Sequence, residues 1–457
     1  MPSYFAESAL LPEGWAQDVR IDVDSRGDLA CVERNADAEG AERLAGPLLP
    51  GMSNLHSHAF QRAMAGLAEV RETGHDDFWS WRELMYRFVG RITPRQAGAI
   101  ARHLYVEMLK AGYTSVAEFH YVHNDPQGQP YANPAEMALA HVCAARECGI
   151  AITMLPSLYR HANFGARALA PRQQRFQSDP GQILAIVEAV CASAPGDPNI
   201  RCGVAPHSLR AVDLASLQEL LAGLASIDAK APVHMHVAEQ TREVDDSLAF
   251  SGQRPVAWLL EHLPVDEHWC LVHATHMNQA ETQGLAASGA VAGLCPTTEG
   301  NLGDGIFPLP AFRQAGGRYG IGGDSHVSRD PFEELRLLEY VQRLVARRRN
   351  IVVGAASKAV GTTLWLEAAA GGAQALGRKS GAIAPGRRAD LLVLDAHHPD
   401  IRGRPGDRIA NAAIFCGSHS LVRDVMVGGR WQVRKGIHAL QASAASDYAA
   451  AVAALLD

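Results

Sequence analysis

The sequence predicts an α/β protein in which a (β/α)8 barrel of the TIM type is joined to a small β domain. The chain has 457 residues, 47% of them hydrophobic and 20% charged, which is enough for one core of barrel size and an accessory domain. Eight short apolar runs alternate with segments that have, for the most part, helical periodicity. This repeated alternation favours a closed barrel over a doubly wound sheet.

The predicted barrel strands follow one another along the middle of the chain. They cover residues 47–55, 114–119, 150–155, 200–205, 232–236, 269–272, 291–295 and 319–322. Several predicted helices between them begin with proline or a capping residue, which is typical of helix N-termini. These helices cover residues 94–111, 134–148, 214–225 and 278–288.

The sequence pattern near both ends of the chain indicates a second structural unit. Short strand-like segments occur at residues 16–23 and 29–32, and again at 389–394 and 421–431. We expect them to form one small β-sandwich domain assembled from both termini, followed by a closing helix at 448–456. The expected division is therefore 1–47 and 379–457 for the small domain, and 48–378 for the barrel.

Composition excludes several classes of partner. The net charge of −7 and the pI near 6.3 provide no basic surface for nucleic acid, whereas a small anionic substrate would need local arginines. The eight cysteines form no C-x-x-C pair, and Cys143, Cys202, Cys270 and Cys295 lie in apolar runs where free thiols usually pack. No membrane helix and no basic leader segment is evident, so we expect a protein of the reducing cytoplasm.

Polar side chains follow most of the predicted strands, at the end of a parallel barrel where catalytic groups gather. His56 and His58 end the first strand two residues apart, so both point to the same side of an extended chain. The candidates on the other strands are Glu118, His120, Tyr121, His207, His236, Glu239, His273 and Asp324. His234, by contrast, points to the other side of its strand from His236, and we expect it to pack against the helices.

We expect His56, His58, His236 and Asp324 to bind one divalent metal ion. Neutral imidazoles with a carboxylate suit Zn²⁺, with Fe²⁺ as the alternative, and a catalytic site keeps one position open for water. Such an ion lowers the pKa of its water from about 15.7 toward about 7. Each residue alone has an ordinary explanation, such as a histidine bonded to a carbonyl or an aspartate in a turn. Their coincidence at four strand ends favours the metal site.

Two further residues are placed for proton transfer. Glu239 follows His236 by three residues, so it can leave the strand and carry a proton from water to a leaving nitrogen. His273 can orient the nucleophile or stabilise developing negative charge. Asp324 can both contact the metal and accept a proton from the water.

The pattern resembles the amidohydrolase superfamily, in its single-metal deaminase branch. The branch is marked by His-x-His after the first strand, His-x-x-Glu after the fifth, one His after the sixth and Asp after the eighth. His207 stands where the two-metal branch has a bridging lysine. The segments NLHSHAFQR from Asn54, EFHYVH from Glu118, APHSLR from Ala205 and GDSHVS from Gly323 are similar to the formimidoylglutamate deiminase family of histidine degradation.

The resemblance implies hydrolysis of N-formimidoyl-L-glutamate to N-formyl-L-glutamate and ammonia by a one-zinc enzyme, usually a homodimer. It implies catalytic roles for Glu239, His273 and Asp324. The residues implied to bind substrate are Gln61, Arg82, Tyr121, His207 and Arg210. Guanidinium groups suit a substrate with two carboxylates. Arg82 also has a plain explanation, because an arginine beside two tryptophans can cover apolar surface.

Two other functions stay open from the sequence. A deaminase of heterocyclic bases, or an aminohydrolase of the chlorotriazine type, shares the metal pattern but would use aromatic stacking and few arginines. A catalytically silent barrel that serves as a binding or assembly protein would be expected to have lost metal ligands, and all four are present.

Overall fold

The structure, a computed structural model, describes residues 1–70, 77–354 and 357–456. The strands are Ser3–Leu11 (β1), Gly14–Val23 (β2), Leu29–Glu33 (β3), Glu42–Arg43 (β4), Leu48–Pro50 (β5), Met52–Ser57 (β6), Tyr113–His120 (β7), Ala151–Leu158 (β8), Ile200–Cys202 (β9), Ala205–Pro206 (β10), Val233–Val237 (β11), Trp269–His273 (β12), Val291–Leu294 (β13), Arg318–Ile321 (β14), Leu391–Leu394 (β15), Val422–Val427 (β16), Arg430–Arg434 (β17) and Ile437–His438 (β18).

The helices pack outside the central strands for the most part. They are Phe78–Val89 (α1), Pro94–Ala111 (α2), Glu136–Cys148 (α3), Pro180–Ser193 (α4), Leu214–Ile227 (α5), Thr241–Ser251 (α6), Pro255–His262 (α7), Gln279–Ser288 (α8), Pro296–Leu302 (α9), Leu309–Gln314 (α10), Pro331–Ala346 (α11), Val360–Ala375 (α12), Asp407–Phe415 (α13) and Gln441–Leu456 (α14). Short 3-10 helices occur at Ala59–Met64, Pro171–Phe176 and His419–Leu421. No helix in the described ranges is long and apolar enough to span a bilayer.

The strands β6 to β14 form the predicted barrel, and they pair in parallel. They make two sheet segments, β6-β7-β8 with β9 and β10, and β11-β12-β13-β14. Parallel bridges Val204–Val233 and Ser57–Asp324 join the segments on both sides. The N–H of Asp324 donates to the carbonyl oxygen of His56 across the second seam (2.9 Å). This seam brings the first and eighth strand ends together, and the predicted fold class is confirmed.

The first predicted strand, 47–55, is in fact two strands that belong to different sheets. Leu48–Pro50 pairs antiparallel with β15, whereas Met52–Ser57 pairs with β7. The change occurs at Gly51, where a Cβ atom would lie 2.3 Å from the Thr114 side chain. A continuous apolar run gives no sign of such a crossing, because both sheets are buried. The fourth predicted strand, 200–205, is likewise divided into β9 and β10.

Both ends of the chain contribute to one further sheet, as predicted. Its nine strands among the described residues have the order β18-β17-β16-β15-β5-β1-β2-β3, with β4 beside β1. The pairing is mostly antiparallel, but β1 runs parallel to β4 and β5. Tyr4, Val19, Leu29, Ile383 and Met426 belong to its own apolar core. The domain boundaries at 47/48 and 378/379 stay a prediction. The strand Leu48–Pro50, just after the first of these boundaries, pairs with β1 and β15 of the small sheet.

Three features of the outer layer differ from, or add to, the expectations. The closing helix α14 begins at Gln441, earlier than predicted, and packs against α2 of the barrel. In α12 a Cβ at Gly371 would lie 1.9 Å from the carbonyl oxygen of Tyr319, so glycine is needed for this helix to approach β14. All eight cysteines are unpaired, but Cys143 is exposed and does not pack in the core as expected.

Candidate active site

His56, His58, His236 and Asp324 converge at the C-terminal end of the barrel. The Nε2 atom of His236 lies 3.1 Å from that of His56 and 3.3 Å from that of His58. Asp324 Oδ1 is 3.5 Å from the Nε2 atoms of His56 and His58. All four residues are buried, with at most 6% of the surface of each exposed. The structure therefore brings together the four residues that the sequence predicted as metal ligands.

The hydrogen bonds of the imidazoles test whether this group fits a cation. Nδ1 of His58 bonds the carbonyl oxygen of Phe119 (2.7 Å), and Nδ1 of His236 bonds that of His207 (3.1 Å). Because a carbonyl can only accept, each Nδ1 carries the hydrogen and each neutral ring presents an Nε2 lone pair. Burial lowers the pKa of His58 and, well below its usual value, that of His236. Facing lone pairs repel each other, so the donor set fits a divalent cation between them.

The backbone has an unusual conformation where these strands end. Ala238, His273 and Asp324 have φ angles of +50°, +67° and +48°, in the left-handed region that residues other than glycine rarely adopt. The N–H of Ala238 donates to the carboxylate of Glu243 (3.0 Å), which helps to hold the first of these turns. Directly after this turn, Glu239 lines the same cavity as His236. Strained backbone at three strand ends is typical of a functional site.

Glu239 and His273 lie beside the proposed metal ligands. His273 Nε2 is 3.7 Å from Glu239 Oε1 and 3.8 Å from Asp324 Oδ2. Burial, partly opposed by His273, raises the pKa of Glu239 to about 7. Burial alone would lower the pKa of His273, but Glu239, the hydrogen bond to Glu299 and Asp324 together raise it to about 10. A carboxyl group with a pKa near 7 can accept and return a proton at neutral pH.

The five residues expected to bind substrate line one cavity with His58, His236, Glu239, His273 and Asp324. Gln61 Nε2 donates to the Tyr121 hydroxyl (2.8 Å), so these two side chains fix each other. Burial, with the nearby charges of Arg210 and Arg82, lowers the pKa of His207 well below its usual value. The cavity therefore combines a neutral imidazole with two guanidinium groups.

The two arginines reach the cavity from different elements. Arg82 lies on α1 and donates to the Tyr159 hydroxyl (3.0 Å), while Arg210 Nε lies 3.8 Å from Glu243 Oε2. Both guanidinium carbons approach the Trp79 ring, at 5.6 Å and 5.9 Å from its centre. Arg82 thus covers an aromatic surface, as its plain explanation required, and also lines the cavity. Trp79 holds both cations near each other.

Comparison with known proteins agrees with this geometry. A family model described as "Amidohydrolase family" matches residues 48–432, and the model of the formimidoylglutamate deiminase HutF N-terminal domain matches residues 1–46. The chain is 52% identical over 457 residues to a formimidoylglutamate deiminase of Pseudomonas aeruginosa, covering 100% of both chains. The chain belongs to the amidohydrolase family and, within it, to the formimidoylglutamate deiminases.

Solved structures of similar proteins share the whole fold. An amidohydrolase from Brucella melitensis is 44% identical, with a TM-score of 0.94 and complete coverage of both chains. An adenosine deaminase from Xanthomonas campestris, solved with bound zinc, is 22% identical with a TM-score of 0.81, covering 99% of this chain and 98% of that one. At that identity the second comparison shows the fold alone.

Two residues that the sequence placed at the barrel mouth lie elsewhere. Glu118 accepts hydrogen bonds from Ser57 Oγ (2.6 Å) and the Tyr105 hydroxyl (3.1 Å). His120 packs against the ring of His141 on α3, with 4.7 Å between centres. Both point toward the helices, so their expected position at the rim is wrong. His234 does bond the helical layer as expected, through the carbonyl oxygen of Ala375 (2.7 Å).

Three buried carboxyl groups near the site were not predicted. Glu299 is hydrogen-bonded to His273, Glu243 lies beside Arg210, and Asp304 lies within metal-binding distance of Glu239 and His273. Desolvation and the charge of Glu239 raise the pKa of Asp304 to about 9. Glu299 and Asp304 belong to the segment after the seventh strand. The only sequence signal was a pair of acidic residues shortly after that strand end.

Proposed function

We propose that this protein hydrolyses N-formimidoyl-L-glutamate to N-formyl-L-glutamate and ammonia. The observation that carries the proposal is one cavity with two arginines beside a three-histidine, one-aspartate group, in a chain 52% identical throughout to a formimidoylglutamate deiminase. The substrate has the complementary chemistry, since it brings two carboxylates and one cationic amidine.

Each part of the substrate has a suitable partner. Arg82 and Arg210 bind the two carboxylates, because a guanidinium group forms paired, charge-assisted hydrogen bonds with a carboxylate. Gln61, Tyr121 and the neutral His207 supply further hydrogen bonds around them. Glu239 and Asp324 face the cationic formimidoyl group, for which carboxylates are the matching charge. The dianionic and cationic ends of the substrate thus meet opposite charges at the two ends of the cavity.

His56, His58, His236 and Asp324 would hold one divalent ion, which we propose to be zinc in preference to Fe²⁺. Three imidazole nitrogens and one carboxylate oxygen are donors that zinc accepts readily. When bound, the ion supplies a Lewis acid that makes water nucleophilic near neutral pH.

The acid and base groups of the chain then move the protons. Glu239 takes a proton from the attacking water as the new C–O bond forms, and returns it to the terminal nitrogen. Asp324 Oδ2 takes the second proton of that water as the C–N bond breaks, and this proton leaves with ammonia as ammonium. Nε2 of His273 orients the water between these two carboxylates. An amidinium and water thus become an amide and an ammonium ion, with atoms and charge balanced.

Ammonia release tests this function directly. The purified protein is supplied with N-formimidoyl-L-glutamate, with adenine, guanine and cytosine derivatives, and with a chlorotriazine. We expect ammonia only from the first substrate, and loss of this activity after treatment with a chelator. Preferential turnover of a base or triazine would contradict the proposal, as would unaltered activity after complete metal removal.

We also propose that the enzyme works as a homodimer in the cytoplasm. The family resemblance supports the dimer, and the unpaired cysteines support a reducing compartment. Light scattering after gel filtration should give twice the chain mass of 49.0 kDa. A mass equal to a single chain would reject the dimer, and recovery of the native protein outside the cytoplasmic fraction would reject the location.

A further inference from the structure

Helix α9 follows the seventh barrel strand and contains the buried acidic residue Glu299. Its side chain is about 8% exposed. One oxygen, Oε1, lies 3.2 Å from Nδ1 of His273 and also accepts the backbone N–H of Cys295 (2.9 Å). The carboxylate is therefore fixed between the end of β13 and a residue of the acid/base group.

The hydrogen bond to Glu299 has a consequence for the other nitrogen of the His273 ring. A carboxylate accepts but does not donate, so Nδ1 of His273 carries a proton. The ring plane is then fixed with Nε2 turned toward Glu239 and Asp324, at 3.7 Å and 3.8 Å. A carboxylate that sets the proton position and orientation of a histidine is a known way to prepare that ring for its partner on the opposite side.

We propose that Glu299 is a positioning residue of the reaction, which acts through His273. It holds Nδ1 protonated and directs Nε2 to the place between Glu239 and Asp324 where the water reacts. This inference rests on the proposed function, since it presumes that His273 takes part in the hydrolysis.

The competing explanation is that Glu299 only holds α9 in place. The helix has other attachments: Thr297 Oγ1 and N donate to the Glu334 carboxylate (2.5 and 2.9 Å), and Thr298 Oγ1 donates to the carbonyl oxygen of Gly323 (3.1 Å). Glu334 is a matched control, because it is a buried carboxylate on α11 that holds α9 through Thr297 and not through His273. A residue that merely anchors α9 should behave like Glu334.

A double-mutant cycle separates the two explanations. Glu299→Gln keeps an acceptor but removes the charge, and Glu299→Leu removes both. Loss of such an outer partner typically costs about 10- to 100-fold in activity, so we expect the larger loss in kcat for Glu299→Leu and partial retention for Glu299→Gln, with little change in KM. In a His273→Ala background neither change should lower kcat further, whereas Glu334→Gln should have the same effect in both backgrounds.

Equal losses from the Glu299 variants with and without His273 would overturn the proposal. A wild-type protein that releases no ammonia from formimidoylglutamate would instead reject the proposed function, so the two failures are distinguishable. A second measurement compares the Nδ1–H resonance of His273 in the metal-free wild-type protein and in Glu299→Leu, assigned by its absence from His273→Ala. A hydrogen-bonded Nδ1–H signal that is lost or shifted in Glu299→Leu supports the proposal, and the same signal in both proteins contradicts it.

Discussion

Replacement of Arg210 by alanine tests how the cavity recognises a dicarboxylate. A charge-assisted hydrogen bond contributes about 1.5 to 3 kcal/mol, which corresponds to roughly 10- to 160-fold in kcat/KM. The change also leaves the buried carboxylate of Glu243 without the arginine 3.8 Å away, so a negative charge then faces the substrate. We therefore expect Arg210→Ala near the upper end of this range. Arg82→Ala should lie near the lower end, because its partner Tyr159 is uncharged.

The assay is steady-state ammonia release from three substrates. They are N-formimidoyl-L-glutamate, N-formimidoyl-L-glutamine and 4-(formimidoylamino)butyrate, the last two lacking one carboxylate each. Each arginine variant should raise KM more than it lowers kcat, and it should lose least on the analogue without its own carboxylate. This pattern assigns each arginine to one carboxylate. Arg210→Lys should be intermediate, since it keeps the charge without the planar fork.

Two results would refute this account of recognition. Kinetics within twofold of the wild type for both alanine variants would remove the arginines from substrate binding. Equal losses on all three substrates would show that they act on the fold and not on the carboxylates. Glu243→Gln added to Arg210→Ala should restore part of the activity, because it removes the unpaired charge; an additional loss would contradict the repulsion argument.

Three further predictions concern the acid/base group, the metal and the barrel packing. Glu239→Gln should keep substrate binding but lower kcat by about 10²- to 10⁴-fold in single-turnover assays, and a near-normal kcat would exclude its proton-transfer role. His236→Asn should lose the metal measured by mass spectrometry, while His234→Gln on the same strand should retain it; equal metal content in both would disprove the ligand assignment. Gly371→Ala should lower the unfolding free energy by about 1 to 3 kcal/mol, because its Cβ meets the Tyr319 carbonyl, and Gly98→Ala, with its nearest atom at 3.6 Å, should not. Similar denaturation curves for the two glycine variants would contradict the packing argument.

Much of the barrel could be predicted from the sequence because its signals are local. Apolar runs bounded by capped amphipathic segments indicated all eight strand positions, and α2 begins and ends where it was predicted. The crossing at Gly51 could not be predicted, because both neighbouring strands are buried along their whole length and the buried run does not mark where the first strand ends. The pairings that separate them are those of β5 with β15 and of β6 with β7, and both partner strands are distant in the chain.

Part of the candidate site could be predicted from the alternation of side chains along a strand, in which neighbouring residues point to opposite faces. It placed His236 toward the cavity and His234 toward the helices. The same alternation explains why Glu118 and His120 are not at the site. Phe119 between them packs its ring against His236, 4.3 Å between centres, so its two neighbours face outward.

The unpredicted carboxylates illustrate a different limit. Glu299 and His273 are separated by 26 positions, and their contact depends on how α9 lies across the barrel mouth. Spacing indicates which side chains share a face within one element, but not which side chains meet between elements. The left-handed backbone at His273 and Asp324 is equally invisible in the residue types, since neither is glycine.

Titration of metal-free protein with zinc tests the central claim most directly. Ammonia release from N-formimidoyl-L-glutamate should rise linearly and stop rising at one equivalent of zinc per chain. His236→Asn should show no such rise over the same range. Activity that is independent of added zinc, or that keeps rising to two equivalents, would contradict a single ion held by His56, His58, His236 and Asp324.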